Sequence, residues 1–297
     1  MTRGQIVLLV VAALVGVAAI VAGALRDAAV LAGRGAFLSS TGGDRAVLWA
    51  VGDGADGGAK AKSVAARIAT GRVDRLLYLG DVYGTGAPDG DGDADDYLEH
   101  YVTVYGGFVG RTSPTPGNHE WPQRTEGYEA FWSSRTKPMP AYYAFDTAGW
   151  RVLSLNSKAP HGPGSPQLRW LTRELERPGT CRLAFWHRPR FSAGRHGDQK
   201  DVAPLWDALR GRATIVVNGH DHNMQRLHPI DGITELVSGA GGHGLYEVKR
   251  DPRVAFGSDD VYGALRMTLT HGRADLAFVA ADGGVLDRHR VTCRPVA

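Results

Sequence analysis

Five times along this 297-residue chain, an apolar run or a tight turn delivers a side chain able to bind a metal ion. Ala46–Val51 runs into Gly52-Asp53, and Leu76–Leu79 runs into Gly80-Asp81. Pro114-Thr115-Pro116 leads to Gly117-Asn118-His119-Glu120, Leu183–Trp186 ends at His187, and Ile215–Asn218 opens into Gly219-His220-Asp221-His222. Taken singly, each is ordinary, since Gly-Asp turns are common and a lone strand-end histidine is more often a satisfied core residue. As an ordered set they offer carboxylate, amide and imidazole donors without a thiolate, which suits iron, manganese or zinc and argues against a closed structural zinc site. Two such ions about 3.5–4 Å apart can share a carboxylate and a hydroxide, and activate that hydroxide for in-line attack on phosphorus.

Donors at strand exits converge only if the runs that carry them are neighbouring strands, because sites in open α/β sheets gather outside the carboxyl ends of the strands. The surrounding pattern supplies that layout. Apolar, β-branched runs at 46–51, 75–79, 150–155, 182–186 and 213–217 alternate with helical patterns at 60–70, 166–176 and 202–209. This alternation indicates a layered α/β architecture. After Asp231 come runs of strand character at 233–237, 262–270, 274–279 and 285–291, separated by turns such as His271-Gly272 and Asp282-Gly283-Gly284. They read as antiparallel strands completing a second sheet.

Over residues 45–295 the chain resembles the calcineurin-like metallophosphoesterases, and within them the purple-acid-phosphatase-like branch. The resemblance rests on the five blocks above, with Trp186-His187-Arg188-Pro189-Arg190-Phe191-Ser192 and Gly164-Ser165-Pro166-Gln167. It implies an α/β (α+β) fold, a four-layer sandwich of two mixed β-sheets flanked by helices. It also implies ligand roles: Asp53 and His222 for one metal, Asn118, His187 and His220 for the other, and Asp81 bridging both. The implied cofactors are two metal ions, iron with zinc, manganese or a second iron. His119, beside Asn118, is placed to touch the phosphate or protonate the leaving oxygen, or else to support the ligands from behind.

The pattern departs from the family in places. Ala55 stands where many relatives outside this branch carry a histidine ligand. The branch supplies a tyrosine three residues after the second-block Asp, whereas Tyr83 follows Asp81 by two, so either its phenol or a solvent molecule fills that position. Met224-Gln225 replace a frequent aromatic-acid pair, a change expected to touch the pocket wall. His196, in Ser192-Ala193-Gly194-Arg195-His196-Gly197, is a candidate contact for the substrate phosphate, or simply an exposed loop histidine. The alternating acids Asp89, Asp91, Asp93, Asp95 and Asp96 look like a calcium loop, but Ala94 and His100 occupy positions where glycine and a bidentate acid are needed. They are read as a solvated loop near the site mouth. His161 and His243 receive no role, and His100, His228, His271 and His289 are read as surface residues.

The N-terminus adds a second theme. Arg3 precedes a run of 20 residues, Ile6 to Leu25, without a charge, and about 20 apolar residues span a bilayer as a helix. Ala22-Gly23-Ala24 would suit signal cleavage, but cleavable signals have shorter apolar centres, so an anchor is favoured. The expected layout is residues 1–26 as transmembrane anchor or signal, 27–44 as linker and 45–297 as the metallophosphoesterase domain. With Arg3 inside, the domain is extracytoplasmic, and the membrane is a partner if the segment stays uncleaved. Export would bring Cys181 and Cys293 into an oxidising compartment, where a disulfide is expected, two free buried thiols being the alternative.

At 43% hydrophobic and 22% charged residues the chain reads as globular, and its net charge of +3 includes no long run of like charge. No aromatic platform interleaves with basic residues, so a nucleic acid partner is not expected. The expected function is hydrolysis of a small phosphomonoester by a metal-bridging hydroxide. The alternatives are a phosphodiesterase on the same scaffold and, from another class, a non-catalytic extracellular binding module.

Overall fold

Strand β1 (Arg45–Val51) is buried from Ala46 onward, and β2 (Arg75–Tyr78) and β3 (Thr112–Pro114) are buried throughout. Strands buried along their whole length are covered on both faces and pair in parallel, as β1, β2 and β3 do. The chain continues through β4 (Tyr143–Thr147), β5 (Trp150–Ser154), β6 (Cys181–Phe185) and β7 (Ile215–Asn218). It ends with β8 (Met224–Leu227), β9 (Thr234–Ser238), β10 (Val254–Ser258), β11 (Gly263–Thr270), β12 (Arg273–Ala280) and β13 (Val285–Thr292). The computed structural model describes residue 5 and residues 35–40, 42–84, 92–134, 137–178 and 181–293. The apolar segment at 6–25 lies outside the described residues, and so do Asp89 and Asp91.

The strands form two mixed sheets, a six-stranded one in the order β13-β12-β11-β1-β2-β3 and a seven-stranded one in the order β10-β8-β9-β7-β6-β5-β4. Helices Ala59–Ala69, Pro166–Leu175 and Ala203–Leu209 flank them, close to the spans read from periodicity. Ser165 caps the second, its hydroxyl accepting from the Leu168 amide at 3.2 Å, and Pro166 opens it. The late strands differ from expectation. β9 joins the second sheet parallel to β7, while β11 pairs with β1 and β12 and β13 follow it in the first sheet, each antiparallel to its neighbour. The reason is burial. β9 is covered on both faces, whereas β11 alternates buried with half-buried residues, as a strand with one solvated face must.

Two helical stretches, 94–111 and 125–132, have no counterpart in the sequence reading. Both pass through π-type turns, at Tyr97–Tyr101 and Thr125–Glu129, and the first ends in a 3-10 turn. Changing pitch blurs the 3.6-residue period that would reveal a helix. At its start Asp93 accepts from the Asp95 and Asp96 amides at 2.8 and 2.9 Å, so this acid of the calcium-like loop caps a helix. Part of the expected linker also packs on the domain. Phe37 is buried against Tyr143 at 5.2 Å, and Arg75 and Ser113 donate to the carbonyls of Ala36 and Phe37, both at 2.9 Å. Cys181, at the start of β6, is disulfide-bonded to Cys293, just past β13, which ties the two sheets together at one end.

Candidate metal centre

At the opposite end the sheets present β1 and β2 beside β6 and β7, and the five donor blocks meet there. The backbone is bent to achieve it. Asp53, Asp81 and His220 each follow a glycine at a strand exit, and have φ of 59, 63 and 72°. Left-handed backbone is costly for residues with a side chain and gathers at functional sites. Gly219 is required by space: a Cβ there would lie 2.6 Å from Asp53 Oδ2 and 3.4 Å from His187 Nδ1.

Two clusters of donor atoms result. In one, His187 Nε2 lies 3.1 Å from Asn118 Oδ1, 3.1 Å from His220 Nδ1 and 3.2 Å from Asp81 Oδ2. In the other, the Tyr83 hydroxyl lies 3.0 Å from His222 Nε2, 3.3 Å from Asp53 Oδ1 and 3.4 Å from Asp81 Oδ2. Asp81 Oδ2 therefore belongs to both. All six residues named as ligands from sequence are brought together, and Tyr83 joins them despite its short spacing. It does so because its amide donates to the Ala55 carbonyl at 2.9 Å, in a short parallel bridge that turns the phenol inward.

The protons on these rings are assigned by their backbone partners. His187 Nδ1 donates to the Leu79 carbonyl and His222 Nδ1 to the Gly244 carbonyl, both at 2.8 Å. Each Nε2 is left with a lone pair; that of His222 faces the Tyr83 hydroxyl at 3.0 Å, whereas that of His187 is directed at other acceptors, with no hydrogen between it and Asn118 Oδ1 or Asp81 Oδ2. A cation resolves that conflict, and metal–ligand bonds of about 2.0–2.2 Å place neighbouring donors roughly 3 Å apart, as found here. Among the described residues Asp81, His187 and His220 form a metal-competent group on these grounds alone.

Electrostatics agree. Burial, and then the neighbouring Asp81, push the Asp53 carboxyl well above the usual carboxylate range. Burial also opposes ionisation of Asp81, but a positive charge at the His187 position, and then at His119, holds its carboxyl below that range, which is the stabilisation a cation bound there would give. Burial depresses His220 to about 2 and His222 to about 4, so both imidazoles are in the neutral form that binds metal.

Three of the four aromatic ligands carry a stacked second ring. His196 stacks on His220 at 4.1 Å, Tyr246 on His222 at 4.0 Å and His243 on Tyr83 at 4.1 Å. His119 meets the Tyr83 edge at 4.7 Å, with Nε2 3.8 Å from Asp81 Oδ2 and a half-exposed side chain. His243, given no role from sequence, thus lines the mouth, with Nδ1 3.7 Å from Asp56. His161 instead bonds backbone carbonyls of Ala159 and Asp201. His228 and His271 are exposed and His289 is half-buried. His100 is not a surface residue: it is buried, and Nδ1 bonds the Tyr83 carbonyl, because the π-type turn at 97–101 rotates it inward.

Three supporting residues were missed. Glu120 Oε2 accepts the amides of Asp81 and Gly117 at 3.1 and 3.0 Å, clamping two donor loops together. Asp221, between the two ligand histidines, accepts from the His196 amide at 2.8 Å and from the Ser192 hydroxyl. Gln225 is buried, and its Oε1 accepts the Ala193 amide at 2.9 Å, so it braces the His196 turn and does not form the pocket wall. The position of Glu120 and Asp221 inside the donor blocks, and of Gln225 just past the last of them, was the available signal.

The fold and these donors define a metal-dependent phosphoesterase. The model of the calcineurin-like phosphoesterase family matches residues 46–224, and the chain belongs to that family. It is 26% identical over 282 residues to tartrate-resistant acid phosphatase type 5 of Mus musculus, covering 80% of this chain and 84% of that one. Among solved structures it is similar to GAP50, the anchor in the inner membrane complex of Plasmodium, with TM-score 0.68 and 15% identity, covering 85% and 90% of the two chains. It is also similar to purple acid phosphatase PPD1 of yellow lupin seeds, with TM-score 0.66 and 17% identity, covering 84% of this chain and 54% of that one. At such identities the structural matches speak for the fold alone. With the mouse relative, they agree with a place in the purple-acid-phosphatase-like branch, and the chain is a metal-dependent phosphoester hydrolase.

Proposed function

We propose that this protein is an exported phosphomonoesterase that works with two metal ions, iron paired with zinc, manganese or a second iron. Asp53, His222 and Tyr83 would hold one ion, Asn118, His187 and His220 would hold the other, and Asp81 is within reach of both clusters. The observation that carries this reading is the set of lone pairs facing one another across about 3 Å, with His187 and His222 each turned by a backbone carbonyl into the tautomer a metal needs. A bound metal pair supplies Lewis acidity toward the phosphoryl oxygens and a water nucleophile active near neutral pH.

The remaining work falls to this chain's own residues. His119 Nε2, at the half-exposed edge of the site, holds the proton that the leaving alcohol takes. His196, fixed by Asp221 and stacked on His220, donates to an unesterified phosphate oxygen. Two imidazoles beyond the ligands favour the monoester, which offers one more free oxygen than a diester. The Cys181–Cys293 bond supports an extracytoplasmic location, since disulfides persist in oxidising compartments. Residues 1–26 then serve as anchor or signal, with the membrane as partner in the first case, and no nucleic acid is bound.

The test joins metal analysis to a comparison of p-nitrophenyl phosphate with bis-p-nitrophenyl phosphate. The monoester should be preferred, with about two metals per chain, and Asp81→Asn should abolish turnover. A preference for the diester would overturn the substrate assignment, and fewer than about one metal per chain would overturn the two-metal site.

A further inference from the structure

The rim of the site carries a cation that the reaction described above does not use. Arg195 is exposed, and its guanidinium lies 5.0 Å from the centre of the Tyr246 ring. The ion pairs of the described residues leave it without a carboxylate, whereas Arg188, Arg226 and Arg253 are bound to Asp201, Asp287 and Asp198 at 2.7, 2.7 and 2.8 Å.

Its position is built from both sides. Below it, Tyr246 stacks on His222 at 4.0 Å and its amide donates to the His222 carbonyl at 2.9 Å. On its own chain, the adjoining His196 stacks on His220 at 4.1 Å. The turn between them is pinned by buried groups. Asp221 takes the His196 amide at 2.8 Å, Gln225 takes the Ala193 amide at 2.9 Å, and the Ala193 carbonyl accepts the Lys249 amide at 2.9 Å. Gly194 packs against Asp221, where a side chain has no room. A guanidinium held on an aromatic face, one ring beyond a metal ligand, offers two parallel donors to a planar or tetrahedral anion.

Resting on the phosphomonoesterase reading, we propose that Arg195 binds a second anionic group of the substrate, so that the preferred substrate is a phosphoester whose leaving portion carries a further phosphate or carboxylate. The same chemistry explains why the cation at this rim has an aromatic partner but no carboxylate among the described residues. Tyr246 orients the guanidinium, and the substrate supplies its counter-charge.

Three uncleaved probes test this by calorimetry on the metal-loaded protein: methylphosphonate with one anionic group, methylenediphosphonate with a second phosphonate, and phosphonoacetate with a carboxylate. Arg195→Met should weaken binding of a two-anion probe by about 10- to 100-fold, and of methylphosphonate by less than about threefold. Arg195→Lys should restore part of the loss. Whether the effect appears on methylenediphosphonate or on phosphonoacetate tells which anion the site takes. Equal weakening of all three probes in Arg195→Met, or no weakening of either two-anion probe, would overturn the proposal. If the wild-type protein fails to bind methylphosphonate and to cleave p-nitrophenyl phosphate, it is the phosphoesterase reading that fails, independently of Arg195.

Discussion

Gly219→Ala isolates the geometry of the metal centre from its chemistry, because it changes no donor atom. Gly219 is not in the left-handed region, so the added methyl group introduces no backbone penalty of that kind. Its Cβ would sit 2.6 Å from Asp53 Oδ2, where ordinary contact begins at 3.4 Å, so the carboxylate must recede by about 0.8 Å. The Leu79 carbonyl at 3.3 Å and His187 Nδ1 at 3.4 Å close off the other directions of relief. The same oxygen accepts the His220 amide at 2.8 Å, so two ligand-bearing loops move together. A misplacement near 1 Å costs about 100-fold in rate, equivalent to roughly 2.7 kcal/mol. Overpacking should lower stability by about 1–3 kcal/mol. The assay is kcat/KM on p-nitrophenyl phosphate with metal content and urea unfolding measured in parallel. Gly162→Ala, where an added Cβ meets nothing within 4 Å, serves as the control and should leave all three unchanged. A Gly219→Ala enzyme with full metal content and kcat/KM within about threefold of wild type would refute the claim that this placement of Asp53 controls catalysis.

Three other outcomes are expected. Iron-loaded wild type should absorb in the visible through a phenolate–iron transition, and Tyr83→Phe should remove that band; persistence of the band would exclude Tyr83 as its source. Replacing both Cys181 and Cys293 by serine opens a loop with a sequence separation of 112. Urea unfolding should then show a loss on the order of 4–5 kcal/mol, and a loss under about 1 kcal/mol would refute the chain-entropy account. Burial raises the Glu235 carboxyl from 4.5 to about 8. The unfolded chain therefore releases this proton first as pH rises, and the contribution of this group to stability is full below about 4.5, falls across the interval and is lost above about 8. Glu235→Gln should remove that decline, gaining on wild type by up to roughly 5 kcal/mol between the two limits; parallel stability curves would sink the idea.

Much of this was legible because the chemistry lies at strand ends, where a one-dimensional pattern is strongest. Asp53, Asp81, His187 and His220 each terminate a buried apolar run, and a buried parallel strand is visible as such in sequence. Their order along the chain carried the family resemblance, and it was that resemblance that implied six ligands. The sequence was silent where position depends on partners distant in the chain. Whether Tyr83 reaches the centre turns on a bridge to Ala55 and on His100, not on the spacing from Asp81. Gln225 was misread because its partner Ala193 belongs to another loop, and His100 because an irregular π turn decides which way it faces.

The sequence alone therefore determined which atoms are available as ligands and which strands deliver them, since residue type and hydrophobic period are local properties. Only the tertiary structure decided which lone pairs face one another. That depends on carbonyls from other blocks, Leu79 for His187 and Gly244 for His222, fixing the proton on the far side of each ring. Likewise only the fold could show that Arg195 stands at the rim with an aromatic face beneath it and, among the described residues, no carboxylate to neutralise it, because an ion pair or its absence is a relation between loops and not a feature of either one.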